Sequence, residues 1–95
     1  MKALSPEKIE KELTALDGWK LEDDKLKKQF TFPDFKQALA FMLQVGFEAE
    51  AQVHHPEWFN VYNRVEIALS THDAGGKVTE KDIKLAKTIE VIANA

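Results

Sequence analysis

The feature that most constrains the fold of this chain is an apolar helical segment between Pro33 and Pro56. The segment reads PDFKQALAFMLQVGFEAEAQVH from Pro33 to His54, and its apolar residues recur at helical spacing. Pro56 should end the helix, because the residue before a proline avoids the α region. We therefore predict one long helix over residues 34–54. The face predicted to cover the core comprises Phe35, Leu39, Met42, Val45, Ala49 and Val53.

This helix carries more apolar surface than a single sheet can cover. The additional residues lie elsewhere on its circumference and are Ala40, Phe41, Leu43 and Phe47. Either a second subunit or a second helix of the same chain must cover them. We expect a homo-oligomer, a dimer or a tetramer, formed through residues 34–54. The alternative is a thicker monomer core that the terminal helices close.

The rest of the chain alternates between helical and strand-like patterns. Ser5 and Pro6 are suited to begin a first helix, which should continue until Gly18. A last helix should open at Thr79. The order α-β-β-α-β-β-α predicts an α+β fold, with one antiparallel sheet and helices on a single face. The four predicted strands are residues 19–22, 26–32, 58–62 and 65–71, with turns at 23–24 and 63–64.

Length and composition narrow the function classes. The 95 residues fit a single domain, 1–95, and the apolar (44%) and charged (31%) fractions are ordinary for a globular protein. The net charge of −3 and the interspersed charges argue against nucleic-acid binding. The absence of cysteine excludes disulfides and cysteine-ligated zinc. With no signal peptide and no run of transmembrane length, we expect a cytoplasmic protein without a membrane segment.

All three histidines fall within residues 50–73. Histidine exchanges protons near neutral pH, which suits acid–base catalysis. Neighbouring residues on a helix point about 100° apart, so His54 and His55 can share a pocket only where the helix ends. His72 lies at the end of a predicted strand, and the three imidazoles could converge to form an enzyme site. A histidine at a helix C-terminus also occurs simply because it interacts favourably with the helix dipole.

Two carboxylates could support these histidines. Glu50 lies four residues before His54, on the same helical face, and could orient its ring or remain a solvated glutamate. Asp82 lies three residues after Thr79, so it could cap the last helix, orient a histidine, or do both.

Polar residues around His72 could hydrogen-bond a polar ligand; they are Ser70, Thr71 and Asp73. A metal set of Glu50, His54 and His72 is conceivable, but its spacing matches no established metal motif. We therefore predict no metal.

Taken together, these positions resemble the pattern of the pterin-4a-carbinolamine dehydratase family. The resemblance extends over nearly the whole chain and rests on Glu50-x3-His54-His55-Pro56-x5-Tyr62-x9-His72, followed by Asp82. It implies a four-stranded antiparallel sheet and, in many members, a tetramer formed through the long helix. It also implies elimination of water from 4a-hydroxytetrahydropterin to give quinonoid dihydropterin, with no metal or organic cofactor. The functional partner would be an aromatic amino-acid hydroxylase, whose cofactor, tetrahydrobiopterin, is recycled.

The resemblance also implies a role for each residue. His54 and His72 would be the acid–base residues, His55 would bind the pterin, and Glu50 and Asp82 would orient the histidines. Val53 departs from the Asn or Asp that many relatives have there. The residues implied to line the substrate site are Val53, His54, His55, Ser70, Thr71, His72 and Asp73.

Two alternatives to this function stay open. Some animal relatives serve as dimerisation cofactors of a homeodomain transcription factor, so the chain could be a protein-interaction module. It could also be a pterin-binding protein of another pathway.

Overall fold

The computed structural model describes residues 2–95 and confirms the predicted α+β fold. Three helices and four strands follow one another in the predicted order, and a short 3-10 helix precedes the last helix. Their bounds are α1 Pro6–Leu13, β1 Lys20–Glu22, β2 Lys25–Thr31, α2 Phe35–Ala51, β3 Glu57–Val61, β4 Arg64–Leu69, the 3-10 helix His72–Ala74 and α3 Glu80–Ala93.

The four strands form one antiparallel sheet in the order β1-β2-β4-β3. Val65, Ile67 and Leu69 of the central strand β4 are buried against the helices. Glu66 and Ala68 alternate with them and point to the other face, which no helix covers. This alternation is the pattern expected of a sheet with helices on one side.

Tight hairpins join the strands. Asp23 and Asp24 both have positive φ angles, 54° and 63°, which a two-residue turn between twisted strands favours. The second turn lies one residue earlier than predicted, at Tyr62 and Asn63, because Arg64 already pairs with Val61 in the ladder.

The first helix is shorter than predicted. Ser5 caps it as expected by accepting the Lys8 amide, but the helix ends at Leu13 rather than continuing to Gly18. The next residues form turns that bring Leu16 into the core. Gly18 has a φ of 83°, so it serves the turn into β1.

The core-facing side of α2 differs from the predicted one. Its buried residues are Ala38, Phe41, Val45 and Ala49. Three residues assigned to the core, Phe35, Leu39 and Val53, are instead exposed, and Phe41, assigned to the additional surface, lies in the core. Both sets repeat at helical spacing, so periodicity alone could not decide between them. The predicted surplus of apolar surface is nevertheless present on α2. It forms one exposed stripe, called the apolar stripe below, which comprises Phe35, Leu39, Leu43 and Phe47.

The end of α2 also differs from the prediction. The helix ends at Ala51 instead of reaching residue 54, and Pro56 is not the direct cause. The His54 amide donates to the Ala49 carbonyl and the Val53 amide donates to the Glu50 carbonyl, each at 3.0 Å. These two bonds define a Schellman motif, in which Val53 takes the left-handed position with a φ of 51°. The motif turns the chain sharply before His54.

Candidate active site

The end of α2, the segment after β4 and the first turn of α3 border an open cavity of about 320 Å³. The structure brings all seven residues predicted to bind substrate to its walls. One further side chain, Lys81, contributes to the lining. The lining residues are Val53, His54, His55, Ser70, Thr71, His72, Asp73 and Lys81.

The most buried polar contact of the site joins His54 to Asp82. The Nε2 atom of His54 lies 2.5 Å from Oδ1 of Asp82. Asp82 is 0% exposed and His54 is 8% exposed, so water screens this contact little. Because an ionised carboxylate only accepts hydrogen bonds, Nε2 donates, and Nδ1 is the nitrogen left for a ligand.

Asp82 is at the same time a capping residue of α3. Its Oδ2 accepts the Thr79 amide and the Thr71 hydroxyl, both at 2.8 Å. Thr79 completes the capping box with its own side chain. The two roles considered for Asp82 therefore occur together, one on each carboxylate oxygen.

The hydroxyl groups behind Asp82 have a fixed donor order. Thr71 has one hydroxyl proton and gives it to Asp82, so it must accept from Thr79, 2.7 Å away. Thr79 in turn accepts the Lys81 amide at 3.2 Å. Every donor in this hydrogen-bond network has an acceptor. The network therefore fixes the orientation of the Asp82 carboxylate toward His54. The hydroxyl of Thr71 is therefore engaged in the network and is not free for a ligand.

Glu50 contacts a different histidine from the one predicted by the i,i+4 spacing. Its Oε1 lies 2.7 Å from Nε2 of His55, and both side chains are exposed. The Schellman motif is the reason, because it takes His54 off the helical path and directs it inward. Glu50 can thus orient His55, whereas Asp82 alone holds His54.

His72 begins the 3-10 helix after β4 and is exposed. Across residues 2–95, its imidazole has no side-chain or backbone hydrogen-bond partner. The backbone around it is anchored, since the Thr71 amide donates to the Lys77 carbonyl at 2.8 Å. His72 is therefore held in place by its backbone, while both ring nitrogens remain available to a ligand.

Sequence reasoning missed two residues of the site. The sequence placed Thr79 only at the start of the last helix and assigned no role to Lys81, although Thr79 orders the hydroxyl network and Lys81 lines the cavity. The signal that could have identified them from the sequence was their position close to Asp82. The exposed aromatic residues Trp58, Phe59 and Tyr62 do not line this cavity.

Within the described part of the chain, no three His, Asp or Glu side chains are grouped closely enough to hold a metal ion. No helix between residues 2 and 95 has the length and apolar character needed to span a bilayer.

The fold and the site define a small α+β protein with a buried histidine–carboxylate pair at the edge of an open, histidine-lined cavity. Residues 2–92 match the family model described as pterin 4 alpha carbinolamine dehydratase. The chain belongs to this family of hydro-lyases.

Individual relatives agree with this placement. A relative from Opitutus terrae, whose name puts it in the same family, is 53% identical over 85 residues, which are 90% of this chain and 88% of the relative. A second, from Christiangramia forsetii, is 50% identical over 95 residues and covers 100% of this chain and 97% of the relative. A crystal structure from Brucella melitensis, described as a transcriptional coactivator/pterin dehydratase, superposes with a TM-score of 0.92 at 44% identity. That match covers 97% of this chain and 99% of the other.

Proposed function

We propose that this single domain eliminates water from 4a-hydroxytetrahydropterin by histidine acid–base catalysis. The observation that carries the proposal is the His54–Asp82 pair, which is buried behind a cavity that all three histidines line. Family membership supports the reaction, and the geometry supports the assignment of the residues.

The reaction requires two proton transfers. The lone pair of N5 of the pterin pushes out the hydroxyl on C4a, so the C4a–O bond breaks and a C4a=N5 double bond forms. One group must protonate the departing oxygen to give water, and another must remove the N5 proton. General acid–base catalysis typically contributes about 10²–10⁴-fold to a rate, which two imidazoles can supply.

The hydrogen bonds suggest which histidine performs which transfer. His54 donates from Nε2 to Asp82, so its Nδ1 can accept the N5 proton, and the carboxylate stabilises the imidazolium that results. His72 has both nitrogens available and, when protonated, can donate to the departing oxygen. His55, held by Glu50 at the exposed rim, is assigned to binding the pterin.

Stopped-flow turnover of freshly prepared 4a-hydroxytetrahydropterin tests this proposal. His54→Ala and His72→Ala should each lower kcat by about 10²-fold, while His55→Ala should mainly raise KM. His55→Ala serves as the matched control, because it removes an imidazole from the same cavity. Wild-type kcat in the His54→Ala/His72→Ala double variant would refute the assignment.

We also propose that the protein acts in the cytoplasm to regenerate the reduced pterin used by an aromatic amino-acid hydroxylase. Tetrahydrobiopterin is the expected form of this pterin. Loss of hydroxylase-dependent growth on deletion of the gene would support this role.

The apolar stripe of α2 supports a homo-oligomer formed through that helix. Phe47 is 73% exposed, and three further large apolar residues lie on the same side of the helix. An exposed apolar patch of this kind typically marks a protein interface. A second copy of the chain is the proposed occupant, as a dimer or a tetramer. An interaction role with another protein is the second candidate function, favoured by the same stripe and by the coactivator description of the Brucella melitensis structure.

A further inference from the structure

Two buried threonine hydroxyls lie behind the His54–Asp82 pair. Thr71 is 3% exposed and Thr79 is 0% exposed. Both hydroxyl protons are used inside the protein, because Thr71 donates to Asp82 and Thr79 donates to Thr71. The capping box of α3 is complete with the side chains of Thr79 and Asp82 alone. Capping therefore does not account for the hydroxyl of Thr71.

The partners of Oδ2 decide how the Asp82 carboxylate is turned. The side-chain torsion that rotates an aspartate carboxylate has broad minima, so the carboxylate needs hydrogen bonds to hold one orientation. Oδ2 accepts the Thr79 amide from the start of α3 and the Thr71 hydroxyl from the segment after β4, each at 2.8 Å. Two donors from different parts of the fold thus hold this oxygen. The other oxygen, Oδ1, is left facing His54.

The orientation of Asp82 in turn selects the tautomer of His54. A neutral imidazole carries a proton on only one of its two nitrogens. With Oδ1 at Nε2, that nitrogen keeps the proton and Nδ1 presents a lone pair. If the carboxylate turned away, both tautomers of His54 would be populated. A fraction of the molecules would then present an N–H group where the reaction needs a base.

The two hydroxyls cannot carry a proton away from the site. A proton passed outward from Asp82 would travel through Thr71 to Thr79 and would then need an acceptor. Among residues 2–95, the further hydrogen bond of the Thr79 hydroxyl is with the Lys81 amide, at 3.2 Å, and that amide is a donor. The hydroxyls therefore act by position, and a proton taken up by His54 must leave through Nδ1.

We propose that Thr71 and Thr79 are positioning residues of the dehydration. Their hydroxyls hold the Asp82 carboxylate so that His54 stays in the tautomer with its proton on Nε2. The proposal rests on the proposed dehydratase function and deepens it, because it assigns two buried residues to the orientation of the catalytic base.

The tautomer of His54 can be measured without any substrate. The ¹⁵N NMR shifts of its two ring nitrogens differ between the tautomers, and at about pH 8.5 an ordinary imidazole is neutral. The wild-type protein should show His54 with Nε2 protonated and Nδ1 unprotonated. Thr71→Val keeps the shape of the side chain but removes the hydroxyl, so both tautomers should appear. Thr71→Ser should restore the wild-type shifts.

Stopped-flow turnover of 4a-hydroxytetrahydropterin measures the effect on catalysis. Thr71→Val should lower kcat by about ten-fold, the rate equivalent of one buried hydrogen bond. Its KM should stay within about two-fold of the wild-type value, because the Thr71 hydroxyl is not available to a ligand. Thr79→Val should lower kcat by only about three-fold, since Thr71 can still donate to Asp82. Thr71→Ser and Thr79→Ser should each recover most of the lost rate.

The matched control is Val65→Ala in β4. Val65 is 0% exposed, so its truncation destabilises the core, but it takes no part in the hydroxyl network. This variant should keep the wild-type kcat and the wild-type tautomer. Thermal melting should establish that each variant is folded, and Thr79→Val decides if Thr71→Val is not.

The outcomes separate the two proposals. A wild-type protein that does not turn over the pterin would refute the proposed function, and the ¹⁵N shifts would still decide the positioning role. A mixture of tautomers at His54 in the wild-type protein would overturn that role. Wild-type kcat together with a single tautomer in folded Thr71→Val would overturn it as well.

Discussion

The carboxylate of Asp82 connects His54 to the N-terminus of α3. Its Oδ1 lies 2.5 Å from Nε2 of His54, and its Oδ2 accepts the backbone amide of Thr79 at 2.8 Å. One buried side chain thus orients a candidate catalytic base and caps a helix.

Replacing Asp82 should therefore affect activity and stability together. Asp82→Asn places an amide among three donors, from His54, Thr71 and Thr79, so at least one donor loses its partner. We expect a loss of about 1–3 kcal/mol in the free energy of unfolding and a kcat lowered by about 10²-fold. Urea unfolding and stopped-flow turnover measure the two effects.

The control for this variant is Ser5→Ala, which removes the cap of α1 far from the histidines and should cost about 1 kcal/mol without changing kcat. An unchanged kcat in folded Asp82→Asn would mean that Asp82 serves only as a cap.

Removing the charge of Glu50 should have a much smaller effect. Because Glu50 contacts His55 at the exposed rim, Glu50→Gln should raise KM by less than about five-fold and leave kcat near its wild-type value. Steady-state kinetics of Glu50→Gln should be compared with those of Glu48→Gln, which changes an exposed glutamate of the same helix. A large drop in kcat would show that Glu50 acts on the acid–base pair after all.

Val53 should be a site where substitution stabilises the protein. It is β-branched and holds a φ of 51°, a conformation that Asn adopts with less strain. We expect Val53→Asn to raise the free energy of unfolding by about 1 kcal/mol in urea titrations. Val91→Asn is the matched control. Val91 is 72% exposed and Val53 is 75% exposed, but Val91 lies within the regular helix α3. The control variant should not raise the free energy of unfolding. An equal increase in both variants would contradict the explanation by backbone strain at Val53.

Charges placed on the apolar stripe should dissociate the proposed oligomer. Leu43→Glu/Phe47→Glu would place two buried charges in the interface, whose desolvation strongly disfavours assembly. Light scattering after size-exclusion chromatography should show the wild-type protein as a dimer or tetramer and the double variant as a monomer. Phe59→Glu, at an exposed aromatic on the open face of the sheet, should remain oligomeric. Dissociation by Phe59→Glu alone would place the interface on the sheet.

A surface carboxylate should give stability a defined pH dependence. A hydrogen bond from Lys8, aided by the charge of Lys87, holds the pKa of Glu12 below its ordinary value of 4.5. A lowered pKa in the folded state stabilises the protein above the unfolded-state pKa, and the stabilisation is lost as the pH falls through the folded value. The difference in unfolding free energy between the wild type and Glu12→Gln should therefore be present at pH 7 and shrink below about pH 4.5. A difference that stays constant from pH 7 to pH 3 would contradict this explanation.

The fold was predictable from local signals because those signals agree with one another. The cap at Ser5, the alternation in β4 and the capping box at Thr79 each occur where the sequence indicated. What the sequence did not determine was the rotation of α2 about its own axis. Two apolar stripes of α2 share the same period, and only the packing of Phe41 against Phe30 and Phe32 shows which stripe faces the sheet.

The site was predictable as a set of residues but not as a set of contacts. The spacing from Glu50 to His54 suggested a helical pair, yet the left-handed residue Val53 redirects the chain between them. The position of Asp82 suggested a cap, and only the tertiary structure brings His54 to its second oxygen. Contacts between distant segments depend on backbone turns that single-residue patterns do not encode.

The capping box of α3 also makes the first turn of that helix a direct reporter of whether the site is assembled. The Thr79 amide is bonded to the same carboxylate that holds His54, so its proton can exchange with solvent deuterium only when that carboxylate moves away. A ligand that binds His54 should slow exchange at Thr79, although the backbone of Thr79 need not touch the ligand.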